Sequence, residues 1–184
     1  MQDTPVVVRI KPATPQTQLA TSEVARYIYL RAGQVPVIVD QPPSGGAQIV
    51  LGLDKALGPE SFAIKTVGPI TRITGGEPVG LLYGVYRYAE LLGVRFYLHG
   101  DVIPDERLTK LSVVNDTGKP LFERRGFNPW GGHAEGLDAW NAYAWKSVVA
   151  QMVKMRMNTV LVHAYAWKPR FGLANLKMSI RMER

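Results

Sequence analysis

The chain has 184 residues, 46% of them apolar and 20% charged, with no cysteine and a formal net charge of +7. That composition supports a packed core and excludes wholesale disorder, disulfides and thiolate metal sites. No apolar stretch approaches the roughly 20 residues that span a bilayer, and the opening MQDTPVVVRI lacks the basic start and long apolar run of a signal peptide.

Val6–Ile10 is β-branched and flanked by prolines, which predicts a short strand. Thr17–Ala32 spaces Leu19, Val24, Ile28 and Leu30 along one helical face, and Gly33 follows as a stop. Val35–Asp40 reads as the next strand and QPPSGG as a turn-rich loop. Ala47–Leu53 is an apolar run suited to a buried strand. Ser61–Val67 and Ile70–Thr74, joined through Gly68-Pro69, read as a hairpin. Gly75-Gly76 then opens a long helix, with Pro78 in its first turn and Val79, Leu82, Val85, Tyr86, Ala89 and Leu92 as its apolar face. Gly80 and Gly84, four apart, allow that helix to approach a sheet closely, and Gly93 ends it. Arg95–Leu98 is a short strand, and Asp101–Lys119 a polar connection that ends at a domain boundary near 115–119.

Beyond the boundary, Leu121–Phe127 reads as a strand and NPWGGHAEG as a glycine-rich loop. Asp138 caps a helix over Ala139–Met155, whose face carries Trp145, Val148, Val149, Met152 and Met155. Asn158 ends that helix, and Thr159–Ala164 is a second apolar strand. Strand, helix, strand makes a parallel βαβ unit, which leaves its edges unpaired and calls for further repeats. The last stretch, FGLANLKMSIRMER, has no firm assignment. Residues 1–120 hold 12 Lys/Arg against 11 Asp/Glu, whereas residues 121–184 hold 10 against 4. The positive excess therefore belongs to the second part, and acidic partners encoded elsewhere explain it better than a nucleic-acid footprint, which needs a basic stripe with interleaved aromatics.

ITGGEPVG sets a glycine pair between a strand and a helix, but its spacing fits neither phosphate-binding pattern, and Glu77 would repel a phosphate. A tight turn with close helix packing is the better reading. RRGFNPWGGH gathers Arg125, Asn128, Trp130 and His133 just after the first strand of the βαβ unit, where parallel folds bind ligands. A guanidinium gives directed hydrogen bonds to sugar oxygens, and an indole face stacks on a sugar ring; a capped loop around a packed tryptophan is an equal alternative. In LVHAYAW, His163, Tyr165 and Trp167 alternate on one side, as a pocket wall or a packed rim. Scattered histidines without clustered acids make no metal site. Glycosidic hydrolysis needs two carboxyl groups about 5–10 Å apart; Glu123, Glu135 and Asp138 supply no convincing pair.

These residues resemble a known family. ITGGEPVGLLYGVYRYAELLGVRFYLHGDVIP resembles the end of the small non-catalytic N-terminal domain of glycoside hydrolases such as the α-glucuronidases and β-hexosaminidases. PLFERRGFNPWGGH is similar to the first strand of their catalytic (β/α)8 barrel, and WKSVVAQMVKMRMNTVLVHAY to its first helix and second strand. The resemblance spans about Ser61 to Tyr165. It implies an α/β (α+β) fold class: a small mixed sheet packed with two helices over residues 1–115, then the incomplete start of a TIM barrel over 120–184. It implies a carbohydrate substrate, with Arg125 holding the terminal sugar and Asn128 and Trp130 beside it; His133, His163 and Tyr165 complete the candidate binding set. In these families the catalytic carboxylates come from later strands, so no catalytic residue is assigned here, and the expectation is of a hydrolase portion that is inactive alone. No cofactor, metal, nucleic acid or membrane partner is expected, and the resemblance implies a secreted or periplasmic home. The alternative is a stand-alone carbohydrate-binding or interaction module.

Overall fold

A computed structural model describes residues 5–128, 140–163 and 177–181. The chain divides into two compact units, one of Met1–Phe96 with Asp101–Leu121, the other of Tyr97–Gly100 with Phe122–Arg184. The fold is mixed α/β.

The first unit is built on a six-stranded sheet. Its strands are β1 (Val6–Val8), β2 (Ile38–Val39), β3 (Gln48–Leu53), β4 (Phe62–Val67), β5 (Ile70–Gly75) and, after a short hairpin of β6 (Arg95–Tyr97) and β7 (Gly100–Val102), β8 (Asn115–Gly118). The order across the sheet is β2-β1-β3-β5-β4-β8. The β1–β2, β1–β3 and β3–β5 pairs are parallel, while β4 runs antiparallel to both β5 and β8. The expected hairpin is thus present as β4–β5, in register from Phe62↔Gly75 to Val67↔Ile70. β2 is shorter than the predicted Val35–Asp40 strand: Val7 and Arg9 donate to the carbonyls of Val37 and Val39, and the next donor in that series, Pro5, has no N–H. The predicted polar connection after Asp101 contains β8, whose NDTG has no strand-forming residue but Thr117 and pairs only because β4 offers a free edge.

Two helices pack on each other and on this sheet: α1 (Pro15–Ala32) and α2 (Pro78–Leu91). Thr14 caps α1 by accepting from Thr17 N, Pro15 fills the first turn, and Gly33 closes it in the left-handed region at φ 78°. The buried face of α1 is Thr17, Ala20, Thr21, Val24, Tyr27, Ile28 and Arg31. Leu19, expected on that face, is 46% exposed. Apolarity alone misreads this helix, since its buried stripe includes threonines whose hydroxyls bond inward, as Thr21 Oγ1 does to Thr17 O at 2.8 Å. α2 is buried on nearly every side, from Gly80 to Tyr86 and again at Tyr88 and Ala89. Its glycines are the reason: a Cβ on Gly84 would stand 3.0 Å from Ile73 Cγ2 and 3.1 Å from Phe62 Cβ, and one on Gly80 would strike the Ser61 carbonyl.

An arginine and a trio of aromatic rings tie distant segments into this core. Arg31, 4% exposed, donates to the carbonyls of Leu92, Pro104 and Glu106, each at 2.7 Å. Tyr27, Tyr86 and Phe96 meet edge to face with centroids 5.5–6.4 Å apart.

The second unit holds β9 (Gly126–Phe127), α3 (Ala142–Lys154), β10 (Thr159–His163) and β11 (Lys177–Arg181) in a three-stranded sheet ordered β11-β10-β9. β9 and β10 are parallel and joined through α3, the expected βαβ unit, while β11 runs antiparallel to β10. β9 is only the end of the predicted Leu121–Phe127 strand, and Leu121 and Phe122 lie 92% and 71% exposed ahead of it. The cap of α3 is Asn141, whose side chain accepts from Tyr143 N and Ala144 N at 3.0 Å, rather than Asp138, which lies outside the described residues. Among the described residues no closed barrel is formed and no helix is long and apolar enough to cross a membrane.

Candidate functional site

The candidate site of the second unit rests on how β9 and β10 are held side by side. Gly126 pairs with Thr159 and Phe127 with Val160. The strands approach so closely that a Cβ on Gly126 would overlap the Thr159 carbonyl, which explains a glycine there. Asn158 fastens the amino ends. Its Oδ1 accepts from Arg125 N at 3.0 Å, and its Nδ2 donates to Glu123 O at 2.8 Å. The Arg125 carbonyl in turn accepts from the N–H groups of Asn158 and Thr159 at 2.8 and 3.0 Å. Asn158 is 4% exposed, so this pairing satisfies polar groups that would otherwise be costly to bury. The sequence marked Asn158 only as a helix stop; its fuller role has a signal, an amide placed between a helix end and an apolar strand.

Arg125 is oriented by the same end of the sheet. Its Nε donates to the Arg156 carbonyl at 2.9 Å and its Nη1 to the Phe122 carbonyl at 2.7 Å. Arg156 occupies the left-handed region at φ 63°, unusual for a non-glycine residue. It closes α3 with Met157 N donating to Met152 O at 2.9 Å, and the guanidinium of Arg125 holds the carbonyl of this turn. Arg125 is therefore a bracket between the β9 entry and the α3–β10 turn, at the amino ends of the strands.

The carboxyl ends are the side on which parallel folds gather ligands. Asn128, exposed, directly follows β9 there, and His163 is the last residue of β10. Trp130, His133 and Tyr165, the other expected binding residues, lie outside the described residues. Among the described residues of this unit the one carboxylate side chain is Glu123, ahead of the amino end of β9, so no acid pair is formed there. No cluster able to hold a metal ion occurs among the described residues.

In the first unit the ionisable groups form a separate cluster. Tyr27 Oη donates to Asp101 Oδ2 at 2.8 Å, and Arg26 sits 3.5 Å from both Glu23 and Asp101. Burial, reinforced by the hydrogen bond to Asp101, pushes the Tyr27 phenol well above its ordinary range, and burial beside Glu23 does the same for Tyr86. Both phenols keep their protons, an arrangement suited to joining segments rather than to acid–base chemistry near neutral pH.

No protein-family model matches the chain, and no curated protein sequence does. Solved structures do. One is a family GH138 enzyme targeting the pectin rhamnogalacturonan II, at 16% identity and a TM-score of 0.63 over 87% of this chain and 24% of that one. Another is a family GH115 4-O-methyl-α-glucuronidase with specificity for decorated arabinogalactans, at 14% identity and a TM-score of 0.63 over 88% of this chain and 25% of that one. At such identities the likeness is one of fold, a glycoside-hydrolase-like fold. The chain spans about a quarter of the length of these two proteins.

Proposed function

We propose that this chain is the N-terminal portion of a glycoside hydrolase acting on hexosaminide or glucuronide linkages, its first unit supporting and its second opening a catalytic (β/α)8 barrel. The observation that carries the reading is the parallel β9–α3–β10 unit, the repeating element of such barrels, placed behind a mixed α/β unit in a chain whose fold follows solved glycoside hydrolases. The proposed division falls after β8, since Asn115–Gly118 pairs within the first sheet. One of those hydrolases targets the pectin rhamnogalacturonan II and the other is a 4-O-methyl-α-glucuronidase with specificity for decorated arabinogalactans, which supports a glycan bearing uronic acid as the substrate class.

In this reading the sugar is met at the carboxyl ends of β9 and β10, by Asn128 and His163 with Trp130, His133 and Tyr165. Arg125 acts indirectly, by fixing the strand from which Asn128 projects. The two carboxyl groups that cleave the bond come from further strands. Two observations test this. Incubation of the chain with chromogenic N-acetylhexosaminides and glucuronides is expected to give no turnover; hydrolysis by this chain alone would overturn the assignment of the acids elsewhere. Coding sequence beyond Arg184 is expected to supply further βα units and an acid pair, and its failure to do so would remove the hydrolase reading.

A further inference from the structure

A groove of about 280 Å³ opens in the first unit between α1 and the sheet edge formed by the end of β1 and by β2. It approaches the roughly 300 Å³ at which small-molecule sites begin, room for one sugar ring. Its lining is polar along α1 and apolar at the edge strand. Gln18 and Ser22, one helical turn apart, present an amide and a hydroxyl that make no hydrogen bond among the described residues. Ile38, 43% exposed, forms the opposing wall. Among the described residues no carboxylate lines the groove, and the one charged lining residue is Arg9.

Arg9 is held in place. It is ion-paired through Nε to Asp40, which Lys11 also reaches at 2.6 Å. The two cations hold the Asp40 carboxyl down at about 2, Arg9 first, so the trio keeps one net positive charge at neutral pH. Asp40 engages Nε and leaves the terminal nitrogens of the guanidinium for a second anion. A fixed guanidinium edge suits a planar carboxylate. The adjacent amide, hydroxyl and apolar wall suit the hydroxyls and C–H face of a ring.

We propose that this groove binds a uronate residue, its carboxylate on Arg9, its hydroxyls on Gln18 and Ser22, and its ring against Ile38, making the first unit an accessory site for acidic glycans. The choice of a sugar rests on the proposed function, whereas the preference for an anion rests on the groove alone. Amide chemical shifts of the full chain are to be followed during titration with galacturonate, with glucose and with sulfate. Galacturonate is expected to move Arg9, Gln18, Ser22 and Ile38 with a Kd of about 1–10 mM, the range of a few weak contacts, and glucose to leave them unmoved. Arg9→Gln is expected to weaken binding about tenfold or more. Gln18→Ala with Ser22→Ala, which leaves the Arg9–Asp40 pair intact, is expected to weaken galacturonate but not sulfate. No shift at these four residues, an equal response to glucose, or a sulfate response matching galacturonate in wild type and double variant alike would overturn the proposal. Shifts confined to the β9–β10 end, at Asn128 and His163, would overturn it while supporting the proposed function; shifts confined to the groove would support it without that function.

Discussion

Tyr27 and Asp101, 74 residues apart, are joined by a 2.8 Å hydrogen bond in which the phenol donates to the carboxylate. The bond fixes β7 to the C-terminal half of α1. Arg26 also reaches Asp101, at 3.5 Å. Tyr27→Phe is expected to cost about 1–2 kcal/mol, because a largely buried carboxylate loses its donor. Asp101→Asn should cost a similar amount, and the double variant clearly less than the sum. Urea unfolding of the four proteins checks this; strict additivity would mean that the two residues act independently.

Arg31 makes a stronger prediction. Its guanidinium satisfies three main-chain carbonyls inside the protein. Arg31→Ala strands all three and is expected to destabilise by about 2–4 kcal/mol. Arg31→Lys should recover only part of this, since an ammonium cannot reproduce the planar fork. Thermal unfolding distinguishes the two, and equal melting temperatures would refute the geometric argument.

Gly80 and Gly84 separate backbone from side-chain crowding. An added methyl at Gly84 meets Ile73 and Phe62, which can shift, and Gly84→Ala is expected to cost about 1–3 kcal/mol. At Gly80 it meets the Ser61 carbonyl, which is fixed in the turn before β4, so Gly80→Ala should cost more. Denaturant midpoints test the ranking.

Three tyrosines carry an alkaline prediction. Burial raises the phenols of Tyr27, Tyr86 and Tyr88, with added help from Asp101 and Glu23 for the first two. A folded-state pKa above the unfolded value of about 10 contributes stability below that pH and loses it as pH rises further. These phenols are expected to ionise only as the first unit unfolds. Tyrosinate absorbance and circular dichroism should then change together, and ionisation well before loss of structure would contradict the burial.

Much of this architecture could be read from residues alone. The β4–β5 hairpin announced itself through alternation and Gly68-Pro69, and α2 through its glycines and apolar face. The βαβ unit of the second part showed as an apolar helix followed by a β-branched strand. What escaped reading depended on partners far along the chain. β8 is a strand because β4 needs a neighbour, not because Asn-Asp-Thr-Gly favours one. The inward face of α1 includes threonines and an arginine, which hydrophobic periodicity counts as outward. By resemblance Arg125 is expected to hold a sugar; its bonds to the carbonyls of Arg156 and Phe122 are a separate, local geometry that spacing does not reveal.

The late arrival of β8 has a consequence during synthesis. β4 ends at Val67, yet its second neighbour ends only at Gly118. At roughly 5–20 residues per second, a ribosome needs several seconds to deliver the missing strand. Throughout that interval one side of β4 is an open ladder, available to any extended chain nearby. A nascent polypeptide stalled anywhere between those two strands would present that ladder indefinitely, so the most aggregation-prone product of this gene would be an interrupted one.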